Sequence, residues 1–316
     1  WLGTALIGFG LAIGNVLMPA VIKRDFGGRV PLVMGAYTAL LGGVGAVAAG
    51  IVVPISQLPW GASGESLGWR VALLATGLLL PPALVVWVWA NRGRRARGGD
   101  AEAEKDRAGN PAAADAAPPD DARAGRRIWG DPLAWQVSIY MGAQSASFYM
   151  LSTWLAPYAI ALGRSPVLAG VDVMTYQLIG IAGSMLLPLI ARGRLRRWAP
   201  ALVAMCGLVA AIGFVAAPAL LPLWLVVGGL AAGSSLTLAL TLTAVRARSQ
   251  QSAAALSGMA QSVGYLVAAG GPIAFGWLHG LSGGWVAPFA LVWLAVAVQL
   301  GTGLAVGRPR FVLSRG

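Results

Sequence analysis

Apolar residues fill long runs of this sequence, and polar residues collect in the stretches between them. Nine such runs lie near residues 1–22, 31–57, 70–91, 133–160, 168–191, 198–217, 220–245, 253–278 and 285–307. Each is long enough to cross the roughly 30 Å of bilayer hydrocarbon, which takes about 20 helical residues. In lipid every backbone N–H and C=O has to be satisfied within the segment, so the runs are predicted to be helices. The short alternating strands of an outer-membrane barrel do not appear in the pattern. The predicted fold class is an all-α polytopic membrane protein.

The polar stretches set an orientation. Lys23, Arg24 and Arg29 follow the first run, and nine basic residues lie between Arg92 and Arg127, after the third. Arg192, Arg194, Arg196 and Arg197 follow the fifth, Arg246 and Arg248 the seventh, and Arg308, Arg310 and Arg315 the ninth. In total 21 of the 23 Lys and Arg residues fall on alternate connections, leaving Arg70 and Arg164 for the other side. Positive charge accumulates in the cytoplasm, so the basic connections and the C-terminal tail are expected there, in a bacterial inner membrane. The stretch 92–132, rich in Ala, Asp, Arg and Pro, cannot bury a core and reads as a flexible cytoplasmic linker. It divides the chain into 1–91, with three helices, and 133–316, with six.

Composition agrees with this class. The chain is 57% hydrophobic with only 11% charged residues, against about 25% in soluble domains. The net charge of +12 does not signal nucleic-acid binding, because the basic residues sit in short connections rather than along one soluble face. Cys206 is the single cysteine, so neither an internal disulfide nor a Cys/His metal cluster is expected, and no cofactor is implied. Trp1 already lies inside an apolar run with no charged region before it, which suggests a start within a longer protein.

An internal repeat accounts for the odd number of helices. Gly10-Leu-Ala-Ile-Gly14-Asn15-Val-Leu17 matches Gly229-Leu-Ala-Ala-Gly233-Ser234-Ser235-Leu236, and Val47-Ala-Ala-Gly50 matches Val267-Ala-Ala-Gly270. Gly68-Trp69 matches Gly284-Trp285. The order is shared and the offset nearly constant, so the first three helices repeat as the last three. The implied whole is two six-helix halves in one orientation, of which helices four to twelve are present.

The stretch from Gly10 through Met18-Pro19 to Lys23-Arg24-Asp25-Phe26 resembles the fourth helix of the cyanate permease and nitroimidazole transporter branch of the major facilitator superfamily. Ala255-Leu-Ser-Gly-Met-Ala-Gln261-Ser-Val-Gly-Tyr265-Leu266 is similar to its eleventh helix, and Met141-Gly-Ala-Gln144-Ser145, with Tyr149 and Trp154, to its seventh. The likeness continues through Gly271-Pro272 to Gly283-Gly-Trp285. It implies the major facilitator fold with two pseudo-symmetric halves, and a central cavity lined by the first, fourth, seventh and tenth helices.

Polar residues at mid-membrane depth are costly and need a reason. Asn15, with Ser234 and Ser235 at the repeat-equivalent place, are candidates for contacting a solute; bonds between helices are the alternative role. Gln144, Ser145 and Tyr149 lie on neighbouring faces of one helix, and Gln261 and Tyr265 stack one turn apart on another. Gly270, Gly271 and Pro272 read as a kink or hinge. Trp154 and Tyr158 are expected to anchor at the membrane interface, Asp172 to sit at a solvated helix end, and His279 to lie in an outer connection touching water.

No nucleotide-binding GxxxxGK[ST] motif occurs, and no HExxH or Ser/His/Asp set. A membrane enzyme is therefore not expected. The expected function is secondary transport of a small polar or anionic solute, a cyanate-like anion or a small nitrogen heterocycle, with protons as the candidate coupling ion. Efflux of drugs or other neutral organic compounds is the alternative, and a transporter-like sensor a third reading.

Overall fold

The computed structural model describes residues 2–56, 58–60, 65–78, 80–89 and 127–313. Most of the predicted linker, with its basic residues up to Arg126, lies outside these, as does Arg315. Nine helices are described. They are α1 (Leu2–Phe26), α2 (Val30–Ser56), α3 (Gly68–Gly77), α4 (Pro132–Ala161) and α5 (Pro166–Ile190). There follow α6 (Ala199–Ala216), α7 (Leu221–Val245), α8 (Gln250–Ser282) and α9 (Val286–Val306). Each overlaps one predicted run.

The chain divides into two compact units, Val44–Ala122 and the remainder. In the first, Pro59–Trp60 pairs antiparallel with Glu65–Ser66, and α3 is followed by helical residues 80–89. Pro81 and Pro82 lack the N–H groups that would bond the carbonyls of Gly77 and Leu78, which ends α3 at that point.

The second unit holds α1, residues 30–43 of α2, and α4–α9. Asp131 opens α4, its carboxylate accepting from the N–H groups of Leu133 at 2.7 Å and Ala134 at 3.3 Å. Ile128, just before it, is fully buried, so the last residues ahead of α4 belong to the folded body. Helix α8 runs beyond the predicted 253–278 because Ser249 and Ser252 form a reciprocal capping box at its start, while Gly283, in the left-handed region, closes its end.

Helices α4 and α8 are the least apolar of the long helices, and they pack against each other. Their backbones cross at Gly142 and Gly264, where an added methyl on Gly142 would meet the Gly264 Cα at 3.3 Å. Helices α5 and α7 form the other close pair: a methyl on Gly183 or Gly233 would run into the carbonyls of Leu230 or Gly180. Small residues at such crossings let transmembrane backbones approach.

The tail returns to this body. The Arg246 guanidinium, after α7, donates to the carbonyls of Val306 at 2.7 Å and Gly307 at 3.3 Å, closing the end of α9. The Val312 N–H donates to the Arg246 carbonyl at 2.9 Å, and the Leu313 N–H to Asp131 at 2.5 Å.

A polar layer between two apolar cores

Two apolar clusters fill the second unit. One gathers Ile22, Met34, Val137, Leu242, Leu256 and Val306, and the other Leu151, Tyr158, Phe214, Leu225, Phe275 and Phe289. Helices α4 to α9 contribute to both, and several of them carry buried polar residues between the two. Gln144 and Ser145 lie there on α4, Ser234 and Ser235 on α7, Gln261 on α8 and Gln299 on α9. A polar layer at half depth is what a solute site in a membrane protein requires, because each such residue costs free energy to place there.

The layer has two parts. Inside the bundle, Gln144, Ser147, Phe148, Ser235 and Gln299 line a cavity of about 30 Å³. Gln299 Nε2 donates to Ser235 Oγ at 2.9 Å, and Gln144 Nε2 to Ser145 Oγ at 2.6 Å. A space of this size holds about two waters, too little for an organic solute. Ser234 Oγ donates to the Gly183 carbonyl at 3.0 Å and ties α7 to α5.

The second part lies where α1, bonded to α2, meets α8. Pro19 has no N–H, so the Asn15 carbonyl four residues earlier loses its helical partner. Gln261 Nε2 donates to that carbonyl at 2.8 Å and to Ser257 Oγ at 2.8 Å. The Asn15 side-chain oxygen accepts from the Tyr37 hydroxyl at 2.7 Å. Tyr265 stands one turn beyond Gln261 on α8 and is half-buried. Neither the Tyr149 nor the Tyr265 hydroxyl has a hydrogen-bond partner among the described residues. Tyr149 is 43% exposed, and its ring stands edge-on to Phe148 at 5.4 Å.

Over residues 1–272 the sequence matches the family model of the Major Facilitator Superfamily. The chain belongs to this superfamily. It is 35% identical over 309 residues to the 2-nitroimidazole transporter of Escherichia coli (strain K12), covering 98% of this chain and 72% of that protein. The cyanate transport protein CynX of the same organism is 30% identical over 297 residues, covering 93% of this chain and 70% of that protein. An uncharacterized transporter of Bacillus subtilis (strain 168), YycB, is 34% identical over 313 residues, covering 98% and 71%. The resemblance read from the helix sequences is thus established. The chain is a multi-pass bacterial membrane transporter of small solutes, not an enzyme.

Within this major facilitator chain the structure relocates several expected roles. Trp154 and Tyr158 are not interface anchors. Trp154 Nε1 donates to the Pro272 carbonyl at 2.9 Å and its ring stacks on Phe275 at 5.7 Å, while the buried Tyr158 hydroxyl donates to the Phe214 carbonyl. Both have found backbone oxygens inside the bundle. Asp172 is not solvated: it is 3% exposed and paired with Arg164, whose Nη2 donates to it at 2.8 Å. His279 belongs to the last turn of α8 and stacks on Trp285 at 4.1 Å. In the expected hinge, a methyl on Gly271 would press on Met150 Cγ at 3.2 Å, while Gly270 is open and Pro272 is braced by Trp154. Tyr37, Ser257 and Gln299 escaped the sequence reading. Each is an isolated polar residue in an apolar run, and only the packing shows which neighbour it meets. Among the described residues no cluster of His, Cys, Asp or Glu could hold a metal ion.

Proposed function

We propose that this transporter moves a small, flat nitrogen heterocycle across the inner membrane by alternating access. The solute is bound against Asn15, Tyr37, Tyr149, Gln261 and Tyr265, where the two halves of the molecule meet. The basic connections, the linker at 92–132 and the C-terminal tail face the cytoplasm, and a proton gradient supplies the energy. One observation carries the reading: the polar residues at the junction of α1, α2 and α8 are amides and phenols, with the Ser257 hydroxyl held by Gln261. Phenol rings stack on flat rings, and amides both donate and accept, so this set suits an uncharged heterocycle. A cyanate-like anion would call for a cation or helix N-termini at that depth. Gln144 and Ser235 act behind the site by holding the bundle around their small cavity.

The test uses the natural full-length protein in proteoliposomes. Transport of 2-nitroimidazole and of cyanate is followed with and without an imposed pH gradient, in both directions. Gradient-dependent flux of the heterocycle, lowered at least tenfold by Asn15→Ala or Tyr265→Phe in normally folded protein, is expected. Cyanate flux alone, or heterocycle flux untouched by both substitutions, would sink the reading.

A further inference from the structure

The amide of Gln261 is only half used. Its nitrogen is committed, at 2.8 Å each, to the Asn15 carbonyl and to Ser257 Oγ. Its oxygen, buried in a side chain only 1% exposed, has no hydrogen-bond partner among the described residues. Turning the amide over would not help. The Asn15 carbonyl can only accept, so it must face the nitrogen, and the oxygen stays the unpartnered atom. Both ends of this arrangement are built in. Pro19 removes the helical donor to Asn15, which leaves a carbonyl able to reach across to α8. Gln261 answers it and thereby fixes which way its own oxygen points.

A buried acceptor with nothing to accept is expensive, more so at low dielectric. It weighs against the arrangement in which α1 lies on α8, until a donor arrives. We propose that Gln261 is the specificity residue of this site: its oxygen takes an N–H of the solute, and filling it favours closure of α1 against α8. This rests on the heterocycle reading above and sharpens it. The preferred solutes carry a ring N–H. N-alkylated rings and bare anions such as cyanate cannot satisfy the oxygen.

The experiment compares 2-nitroimidazole with 1-methyl-2-nitroimidazole in reconstituted full-length protein. The two rings differ by one donor. A single neutral hydrogen bond is worth a factor of about five in apparent affinity, so the N–H compound should be preferred by about that factor. Gln261→Met, of similar length and without the oxygen, should bring the apparent affinities of the two compounds level. Equal affinity for both compounds in the native protein overturns the proposal without any variant, and so does a preference that survives Gln261→Met. Failure of both compounds to move would overturn the heterocycle reading and this proposal with it. The two failures are therefore told apart by whether either compound crosses the membrane.

Discussion

Replacing Gly229 by Ala tests whether the approach of α5 and α7 is set by the absence of a side chain. The new methyl would stand 2.5 Å from the Tyr176 carbonyl oxygen, and 3.1 and 3.2 Å from Ile179 Cβ and Cγ2. The oxygen belongs to the backbone of α5 and cannot swing aside. A relaxed C···O contact is about 3.4 Å, so the helices would have to part by about 0.9 Å. A gap of that order forfeits roughly a quarter to a half of the dispersion well for the atoms lining it. Such overpacking costs about 1–3 kcal/mol, and Ala returns about 1 kcal/mol of helix propensity over Gly. The net loss is about 0–2 kcal/mol, or a fall in Tm of up to roughly 8 °C. Gly170→Ala, on α5 with nothing within 4 Å of the new methyl, makes the same propensity change without the clash and should leave Tm equal or higher. Tryptophan fluorescence and size-exclusion recovery after heating in detergent would read both. A rise in Tm for both variants would refute the close-approach argument and leave propensity as the only effect.

Three further outcomes are expected. Trp154→Phe keeps an aromatic ring beside Phe275 but loses the bond to the Pro272 carbonyl; it should lower stability by about 1 kcal/mol in thermal unfolding. Asp172→Leu strands the partly exposed Arg164 and should cost about 2–3 kcal/mol, whereas the double variant Asp172→Leu/Arg164→Met should recover most of it in a double-mutant cycle. Lys23 donates to the carbonyls of Ala244, at 2.8 Å, and Ala247 at the end of α7. Removing this cation from a helix C-terminus with Lys23→Met should loosen the ends of α1 and α7 by about 1–2 kcal/mol, seen as a new longer population in spin-label distance measurements.

The nine helices were legible because lipid leaves the backbone no alternative, so a run of apolar residues near 20 long already names its conformation. What hydropathy could not supply was direction around each helix. Ser234 was readable as a polar residue at half depth, but only the packing shows it spent on the Gly183 carbonyl. Asn15 and Gln261 were each picked out, 246 residues apart. That they meet depends on a carbonyl freed by Pro19, a backbone property that side-chain pattern does not display. Trp154 and Tyr158 were misread for a related reason. Their position near a helix end suits the interface, yet an indole N–H or a phenol is equally served by a buried carbonyl. Asp172 looked terminal by sequence; Arg164, eight residues earlier, folds back over it and shields it from water.

The bonds made by Val312 and Leu313 bear on how the protein is assembled during synthesis. These two residues leave the ribosome after all nine helices of this chain have been made. Until then the carboxylate of Asp131 lacks the Leu313 N–H and the Arg246 carbonyl lacks that of Val312. The loop after α7 and the start of α4 are therefore joined through this segment only after α9 has been made. The six helices of the C-terminal half can insert and sort their partners before that stitch is drawn. A sequence inserted close behind Leu313 would act on this step, and so on the yield of assembled protein, before it touched the transport cycle.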